Sequence, residues 1–291
     1  GEKDWLPVPG NYDNDKKTDL AVWNIHTGEW YCLQSSDNNN SYLYEILGNT
    51  GIKDWLPVPV DLDGDGKTDF CVWNKSTGVW NYKRSSDGQE LQFQWKEGGN
   101  DLWVPAPGDF DGDGKTDFCV WEKSTGIWHY RQSSNEEERQ VQWKEGGENA
   151  WIPVPADYDG DKITDMAVWN KSTGEWHCRK SSDIPNPLVR QWRARGTVEW
   201  VPVPGDFDGD KKADLSVWEK SRGRWYFLRS SNNNQVYDIQ LWGNRGERYW
   251  VPLVHFQYVY LSSKAQSSSG RDMAGRRFPG LLGNEIGRAH V

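Results

Sequence analysis

The residues best able to do chemistry in this chain are aspartates, which recur in five short clusters with one spacing. The second cluster runs from Asp61 to Asp69 as DLDGDGKTD, with carboxylates at positions 1, 3, 5 and 9. Side-chain oxygens at these positions, together with the backbone carbonyl of position 7, can wrap one hard cation. The predicted ligand sets, with position 7 acting through its backbone carbonyl, are Asn11, Asp13, Asp15, Lys17 and Asp19; Asp61, Asp63, Asp65, Lys67 and Asp69; Asp109, Asp111, Asp113, Lys115 and Asp117; Asp157, Asp159, Asp161, Ile163 and Asp165; and Asp206, Asp208, Asp210, Lys212 and Asp214.

The density of negative charge in these clusters favours a bound metal over solvated acidic turns, which are the alternative. Four carboxylates within nine residues repel one another, and folding presses them closer together. Oxygen-only ligands on a flexible loop favour Ca²⁺ over zinc, copper or octahedral Mg²⁺. Five divalent ions would also bring the formal net charge of -9 close to zero. We therefore predict about one Ca²⁺ per cluster.

The surroundings of the acidic loops differ from those of an EF-hand. That motif needs a bidentate Glu at position 12 and a helix on either side. Position 12 is Val72 in the second cluster and Val120 in the third, and both valines lie in apparent strands. The sequence therefore predicts loops that join two β-strands. The residues at position 4 that allow the tight bend are Asn14, Gly64, Gly112, Gly160 and Gly209.

Each acidic loop belongs to an internal repeat of 48 to 50 residues that opens with a W-x-P segment near residues 5, 55, 103, 151, 200 and 250. The third unit contains four segments rich in β-branched and aromatic residues, at 103–107, 116–121, 127–131 and 139–143. Four strands per unit at this period are typical of a propeller blade. The predicted fold is all-β, a β-propeller of four-stranded antiparallel blades, with five complete repeats plus the start of a sixth.

All 20 tryptophans fall on four positions of the repeat, which predicts that their rings pack blade against blade in the core. The four positions are filled by Trp5, Trp55, Trp103, Trp151, Trp200 and Trp250; by Trp23, Trp73, Trp121, Trp169 and Trp218; by Trp30, Trp80, Trp128, Trp176 and Trp225; and by Trp95, Trp143, Trp192 and Trp242.

The four cysteines fall on two repeat positions that other units fill with Ala, Ser, Tyr or Phe. Such interchange is typical of buried filler residues rather than of disulfide partners. None of them has CxxC spacing, so the sequence gives a zinc site no support. The predicted fillers are Cys32, Cys71, Cys119 and Cys178.

The repeat pattern divides the chain into a propeller over 1–253 and an atypical tail over 254–291. The tail has no acidic loop and is rich in basic residues from Lys264 onward. Our hypothesis is that it is foreign to the fold, through a shifted reading frame or sequence added during cloning, although 255–263 could form one strand. The number of blades stays open, because five units could close a ring or be a piece of a six- or seven-bladed one.

The run P-V-P-x-D-F-D-G-D-x-K-x-D, followed by V-W and S-T-G-x-W, resembles the FG-GAP/VCBS repeat family. The resemblance covers residues 1 to about 253, and the first loop departs from the pattern with Asn11. The family includes integrin α-subunit propellers, bacterial surface repeat proteins and fungal propeller lectins. The resemblance implies a propeller with calcium loops on one rim, the aspartate sets above as calcium ligands, and extracellular adhesion or carbohydrate binding.

From these features we expect a secreted binding or adhesion module, with multivalent carbohydrate recognition at clefts between blades as the first hypothesis. Serine pairs such as Ser85 and Ser86 are candidate sugar contacts, although turn formation explains them more simply. A non-catalytic scaffold and a protein-ligand adhesion module are the alternatives, and a secreted hydrolase or lyase is less favoured. His129 and His177 share one repeat position with Asn81, so they form no singular catalytic cluster, and we expect no enzyme activity.

The expected partners are glycans or extracellular protein ligands. The acidic balance argues against nucleic acid, and no apolar run approaches the ~18 residues of a membrane helix. Calcium sites with a Kd of ~10⁻⁴ M would stay mostly empty in the cytosol. We therefore expect the protein outside the cell or at its surface.

Overall fold

Five four-stranded antiparallel sheets account for the strands in the described part of the chain. The computed structural model describes residues 5–15, 19–37, 40–48, 54–96, 102–144, 150–192, 200–219, 224–235 and 237–241. Blade 1 contains β1 Trp5–Pro7, β2 Leu20–Asn24, β3 Glu29–Leu33 and β4 Tyr42–Ile46; blade 2 contains β5 Trp55–Pro57, β6 Phe70–Asn74, β7 Val79–Lys83 and β8 Glu90–Gln94. Blade 3 contains β9 Trp103–Pro105, β10 Phe118–Glu122, β11 Ile127–Arg131 and β12 Glu138–Gln142. Blade 4 contains β13 Trp151–Pro153, β14 Met166–Asn170, β15 Glu175–Arg179 and β16 Leu188–Gln191; blade 5 contains β17 Trp200–Pro202, β18 Leu215–Glu219, β19 Arg224–Leu228 and β20 Tyr237–Leu241.

Each blade is an up-and-down meander whose strands pair in chain order. In blade 3, Val120 on β10 lies opposite Pro105 on β9 and His129 on β11. The turn between the second and third strands requires glycine, as Gly78 shows with a φ of 73°. A Cβ at Gly78 would stand only 2.0 Å from the carbonyl oxygen of Lys96. The S-T-G turns therefore fix the register of the two central strands.

Paired tryptophans on the two central strands form the core. Trp121 and Trp128 lie opposite each other in the register of blade 3, and both are fully buried. They pack in one cluster with Met166 and Val168 of blade 4. This confirms the predicted blade-to-blade packing of the rings. The buried members of this set are Trp23, Trp30, Trp73, Trp80, Trp121, Trp128, Trp169, Trp176 and Trp218.

The residue that begins the second strand of a blade packs into the preceding blade. Phe70 of blade 2 lies 5.3 Å from Trp30 of blade 1, and Phe118 of blade 3 lies 5.1 Å from Trp80 of blade 2, between ring centroids. Repetition of this packing arranges five blades in a ring, the predicted β-propeller. The four cysteines, as predicted, are buried in the blades.

The predicted strands differ from the observed ones mainly at the acidic loop. The segment predicted at 116–121 begins at Phe118, because Asp117 pairs only with Gly108 in an isolated bridge. The start of the sixth unit, the possible strand at 255–263 and the tail at 254–291 lie outside the described residues. Among the described residues, no helix has the length and apolar character needed to span a membrane.

Candidate metal centres

The acidic loops connect the first and second strands of each blade, and the aspartate at position 9 is the buried anchor of each loop. Asp117 is 0% exposed. Its carboxylate accepts the backbone N–H of Phe110 at 2.9 Å and that of Ser133 at 2.7 Å. The carboxylate therefore ties its own loop to the turn that follows β11. The equivalent anchors, with the same two kinds of bond, are Asp19, Asp69, Asp165 and Asp214.

The residue at position 1 organises the other end of the loop. Asp61 accepts the N–H groups of Gly64 at 2.7 Å and Gly66 at 3.0 Å, so its two carboxylate oxygens hold the tight bend. Asn11 in the first loop behaves differently. Its side-chain amide donates to the carbonyl of Gly66 in blade 2 at 2.8 Å, and its Oδ1 is buried without a hydrogen-bond partner. The first loop therefore has one carboxylate fewer than the other four.

The serine pairs belong to these loops. The Ser133 hydroxyl donates to Asp113 at 2.9 Å, and the Ser134 hydroxyl donates to Asp111 at 2.6 Å. These bonds engage the hydroxyls that the sequence offered as sugar contacts. The sequence contains a pattern that could have predicted this role of the serines, because each pair begins 16 residues after the position-9 aspartate. The pairs are Ser35 and Ser36, Ser85 and Ser86, Ser133 and Ser134, Ser181 and Ser182, and Ser230 and Ser231.

In every loop, three carboxylates come within 4.8 Å of one another and could hold a metal ion. The predicted sets are thus brought together in part. In blades 2 to 4 the close group leaves out position 5, which is Asp65, Asp113 or Asp161; in blade 5 it leaves out Asp214. Lys17 lies outside the described residues. The close groups are Asp13, Asp15 and Asp19; Asp61, Asp63 and Asp69; Asp109, Asp111 and Asp117; Asp157, Asp159 and Asp165; and Asp206, Asp208 and Asp210.

Neighbouring loops are joined to each other through their backbones. The N–H of Thr116 in blade 3 donates to the carbonyl of Asp61 in blade 2 at 2.9 Å. The same bond joins Thr68 to Asn11 at 2.7 Å and Thr164 to Asp109 at 2.6 Å. Each of these bonds links position 8 of one loop to position 1 of the loop before it. The acidic loops therefore lie side by side along one end of the propeller.

A second feature is an open space between blades 4 and 5, which we call the blade 4–5 cavity. Its volume is about 610 Å³. Trp192 on blade 4 is half-buried, whereas Tyr237 on blade 5 is 46% exposed. Aromatic rings and amide groups therefore line the same open space. The lining residues are Val189, Arg190, Gln191, Trp192, Leu228, Gln235 and Tyr237.

Two repeat positions differ between this junction and the junction of blades 2 and 3. At the junction of blades 2 and 3, the guanidinium of Arg131 stacks 4.5 Å from the ring centroid of Phe93, and Glu138 accepts the indole N–H of Trp95 at 2.8 Å. The strand register places Leu228 where blade 3 has Arg131, and Tyr237 where it has Glu138. Leu228 has no guanidinium to stack on a ring, and Tyr237 puts a phenol where blade 3 has a carboxylate.

The sequence comparison with protein-family models was decisive for classification. The model of the FG-GAP-like repeat matches residues 11–72, 61–120 and 109–168, each match starting at position 1 of an acidic loop and ending beyond the next loop. Together the matches span more than half of the chain. The chain belongs to the FG-GAP-like repeat family.

Solved structures are similar to this FG-GAP-like chain at low sequence identity, so the likeness is one of fold alone. A lectin of Agrocybe aegerita, solved in a study of its specific recognition of non-reducing terminal N-acetylglucosamine, has a TM-score of 0.54 at 11% identity over 82% of this chain. This chain covers 66% of that lectin, slightly under two thirds of its length. BBS1N in complex with ARL6DN has a TM-score of 0.44 at 13% identity, covering 84% of this chain and 73% of that one. No curated protein shows significant sequence similarity to this chain.

The position-9 aspartates of the FG-GAP-like loops are carboxylates that are shielded from water. Burial raises the pKa of Asp69, Asp165 and Asp214 to about 7, and that of Asp117 to about 6. Backbone N–H groups oppose this effect, and neighbouring carboxylates add to it. Close carboxylates with raised pKa values have the chemistry of a cation site, because a bound cation would stabilise their ionised forms. The residues present therefore fit a metal ion.

Calcium is expected to stabilise the protein more at pH 7.5 than at pH 5. In the metal-free protein the folded state holds protons on these aspartates more tightly than the unfolded chain, whose Asp pKa is about 3.9. Their stabilising contribution is therefore present below about pH 4 and is lost as pH rises through about 7. Calcium must displace these protons to bind, so the free energy of unfolding that it adds grows as pH rises from about 4 to about 7. Thermal unfolding with calcium and with a chelator at both pH values measures the gain, and an equal gain at both would contradict this prediction.

Proposed function

We propose that this chain is a secreted, calcium-stiffened propeller that binds carbohydrate at clefts between its blades. The blade 4–5 cavity is the observation that carries the proposal. Trp192 and Tyr237 can stack on the C–H faces of a sugar ring, while the amides of Gln191 and Gln235 can bond its hydroxyl groups. A cavity of about 610 Å³ is within the usual range of small-ligand sites.

In this proposal the ions in the loops are Ca²⁺ and their role is structural. Carboxylate oxygens, with the position-7 carbonyls as further ligands, suit a cation that accepts six to eight oxygens in flexible geometry. Neutralising the loops would strengthen the row of contacts between position 8 of one blade and position 1 of the blade before it. The ions would then hold the blades, and hence the walls of each cleft, in fixed relative positions.

The proposal places the protein outside the cell and assigns it no catalytic step. Sites of moderate affinity, with a Kd of ~10⁻⁴ M, are filled by extracellular calcium at roughly 2 mM. The aspartates with raised pKa values belong to the loops, where hydrogen bonds already engage them. Similarity to the fold of a lectin is consistent with binding of a glycan, and several clefts on one ring could give avidity if more than one of them binds.

A Tyr237→Ala variant is expected to weaken glycan binding by about tenfold, since one stacking wall of the cavity is lost. Binding to a broad glycan array in calcium identifies the sugar class, and titration of that sugar gives the affinity ratio. Ile184→Ala is a matched control, because Ile184, between β15 and β16 of blade 4, is 51% exposed but does not line the cavity. Thermal melts of both variants establish that they are folded.

Two results would contradict the proposal. A blank array from folded, calcium-loaded protein would favour the scaffold or protein-ligand alternative. Binding that Tyr237→Ala and Trp192→Ala both leave unchanged would place the sugar site elsewhere on the propeller.

A further inference from the structure

The charge of the blade 4–5 cavity comes from one residue. Arg190 is the charged member among the seven lining residues. Its Nη2 donates to the backbone carbonyl of Asn234 on blade 5 at 2.7 Å. A carbonyl is a neutral partner, so this bond orients the guanidinium without cancelling its charge. Among the residues that the structure describes, none forms an ion pair with Arg190.

The junctions of blades 1 and 2 and of blades 2 and 3 have different residues at the same pair of positions. In the strand register, Arg190 occupies the position of Glu45 in blade 1 and Phe93 in blade 2. Facing these residues, the next blade supplies a cation: Lys83 pairs with Glu45, and Arg131 stacks on Phe93. At the blade 4–5 junction the order is reversed, since the cation stands on blade 4 and faces Leu228. Among the described residues, the cavity therefore has a cation without the partner that those two junctions provide.

The guanidinium is also held in place before any ligand binds. Arg190 lies on β16 opposite the buried Trp176. Its acceptor, Asn234, belongs to a turn in which Asn233 and Asn234 have φ values of 60° and 58°, a conformation that Asn tolerates better than most residues. Hydrogen bonds from Asn233 to Ser230 and from Asn234 to Arg229, each 2.9 Å, close this turn. Fixing the donor in advance lowers the ordering cost of binding.

We infer that the blade 4–5 cavity selects sugars that carry a carboxylate, with Arg190 as the group that recognises it. The inference rests on the proposed carbohydrate-binding function. A guanidinium has five N–H donors in a planar fork and can present two of them to one carboxylate. Trp192 and Tyr237 would hold the sugar ring, and the two glutamines would bond its hydroxyls. The carboxylate would supply the negative charge that Leu228 cannot.

The test uses the full chain in calcium and an array of glycans printed as matched pairs, one member neutral and the other carrying a uronic or sialic acid. We expect the acidic member of the best pair to bind about tenfold more tightly, in line with a partly exposed charge-assisted bond. Arg190→Gln should reduce this ratio to about one, and the ratio is the readout because loss of the bond to Asn234 could change the affinity for both members. Arg190→Lys should keep part of the preference, because it keeps the charge but loses the fork.

The possible results distinguish failure of this inference from failure of the proposed carbohydrate-binding function. Equal binding of neutral and acidic members by the unaltered protein overturns the inference and leaves carbohydrate binding standing. A preference that survives Arg190→Gln also overturns it. Binding of neither member, by protein shown to be folded, overturns both. If Arg190→Gln does not fold, the salt dependence of the ratio is measured on the unaltered protein instead. A charge-based preference decreases as salt is raised from about 0.05 to about 0.5 M.

Discussion

Calcium at about 2 mM is expected to stabilise the metal-free protein by about 1.8 kcal/mol for each occupied loop, for a site Kd of ~10⁻⁴ M. Five loops would together raise the free energy of unfolding by about 9 kcal/mol, if the unfolded chain binds no ion. The physical reason lies in the loops themselves, where three carboxylates stand within 4.8 Å of one another. Without a cation, their repulsion and desolvation oppose folding.

Urea unfolding of protein dialysed against a chelator, with and without added calcium, measures this gain. Magnesium at the same concentration is the matched control, because its demand for octahedral geometry and bound water suits these loops less well. We expect magnesium to shift the midpoint less than calcium does. A midpoint that calcium leaves unmoved would show that the acidic loops fold as plain turns.

The second large effect is expected from Asp117→Ala, which should cost about 4 kcal/mol of folding free energy. Removal of the carboxylate leaves two N–H groups, those of Phe110 and Ser133, without their acceptor in a buried site. Each unpaired buried donor costs about 1–3 kcal/mol. Most of the loss should persist in a chelator, because these two bonds do not require an ion. Asp117→Asn should cost less, since it keeps one acceptor oxygen.

Glu137→Ala in the same blade is the control for loss of a surface carboxylate. Glu137 is exposed and pairs with Arg139, so its removal should cost no more than about 1 kcal/mol. Urea unfolding of the three variants and the parent gives the comparison. If Asp117→Ala and Glu137→Ala cost the same, Asp117 is not the anchor of its loop.

The fold was predictable because the repeat places the same side chains at the same strand positions five times. Trp121 and Trp128 have a counterpart in every complete unit, so the core positions could be predicted, although Val120 and Trp121, on opposite faces of β10, are both buried. The residues at which each strand begins and ends were less predictable. Thr116 has the side chain of a strand residue, but its backbone N–H donates to the carbonyl of Asp61 in the loop of the preceding blade. No pattern within one repeat reveals this contact.

The loop was predictable in composition and only partly in geometry. The spacing of the aspartates identified the cluster, but the role of Ser133 depends on the pairing of β10 with β11. This pairing brings Ser133 next to Asp117, although 16 residues separate them in the chain. The blade 4–5 cavity could not be predicted in the same way. It lies where blade 5 has Leu228 and Tyr237 instead of the basic and acidic residues of blades 2 and 3, and its shape depends on how two sheets face each other.

A count of the ions bound to each chain tests most directly whether every FG-GAP-like loop holds one Ca²⁺. Native mass spectrometry of the full chain from calcium-containing buffer should show five ions, and Asp111→Ala, which removes one member of the close group in blade 3, should show four. The parent should release its ions to a chelator. Protein that carries no calcium under these conditions, or a count that Asp111→Ala leaves unchanged, would contradict the assignment of the ions to these loops.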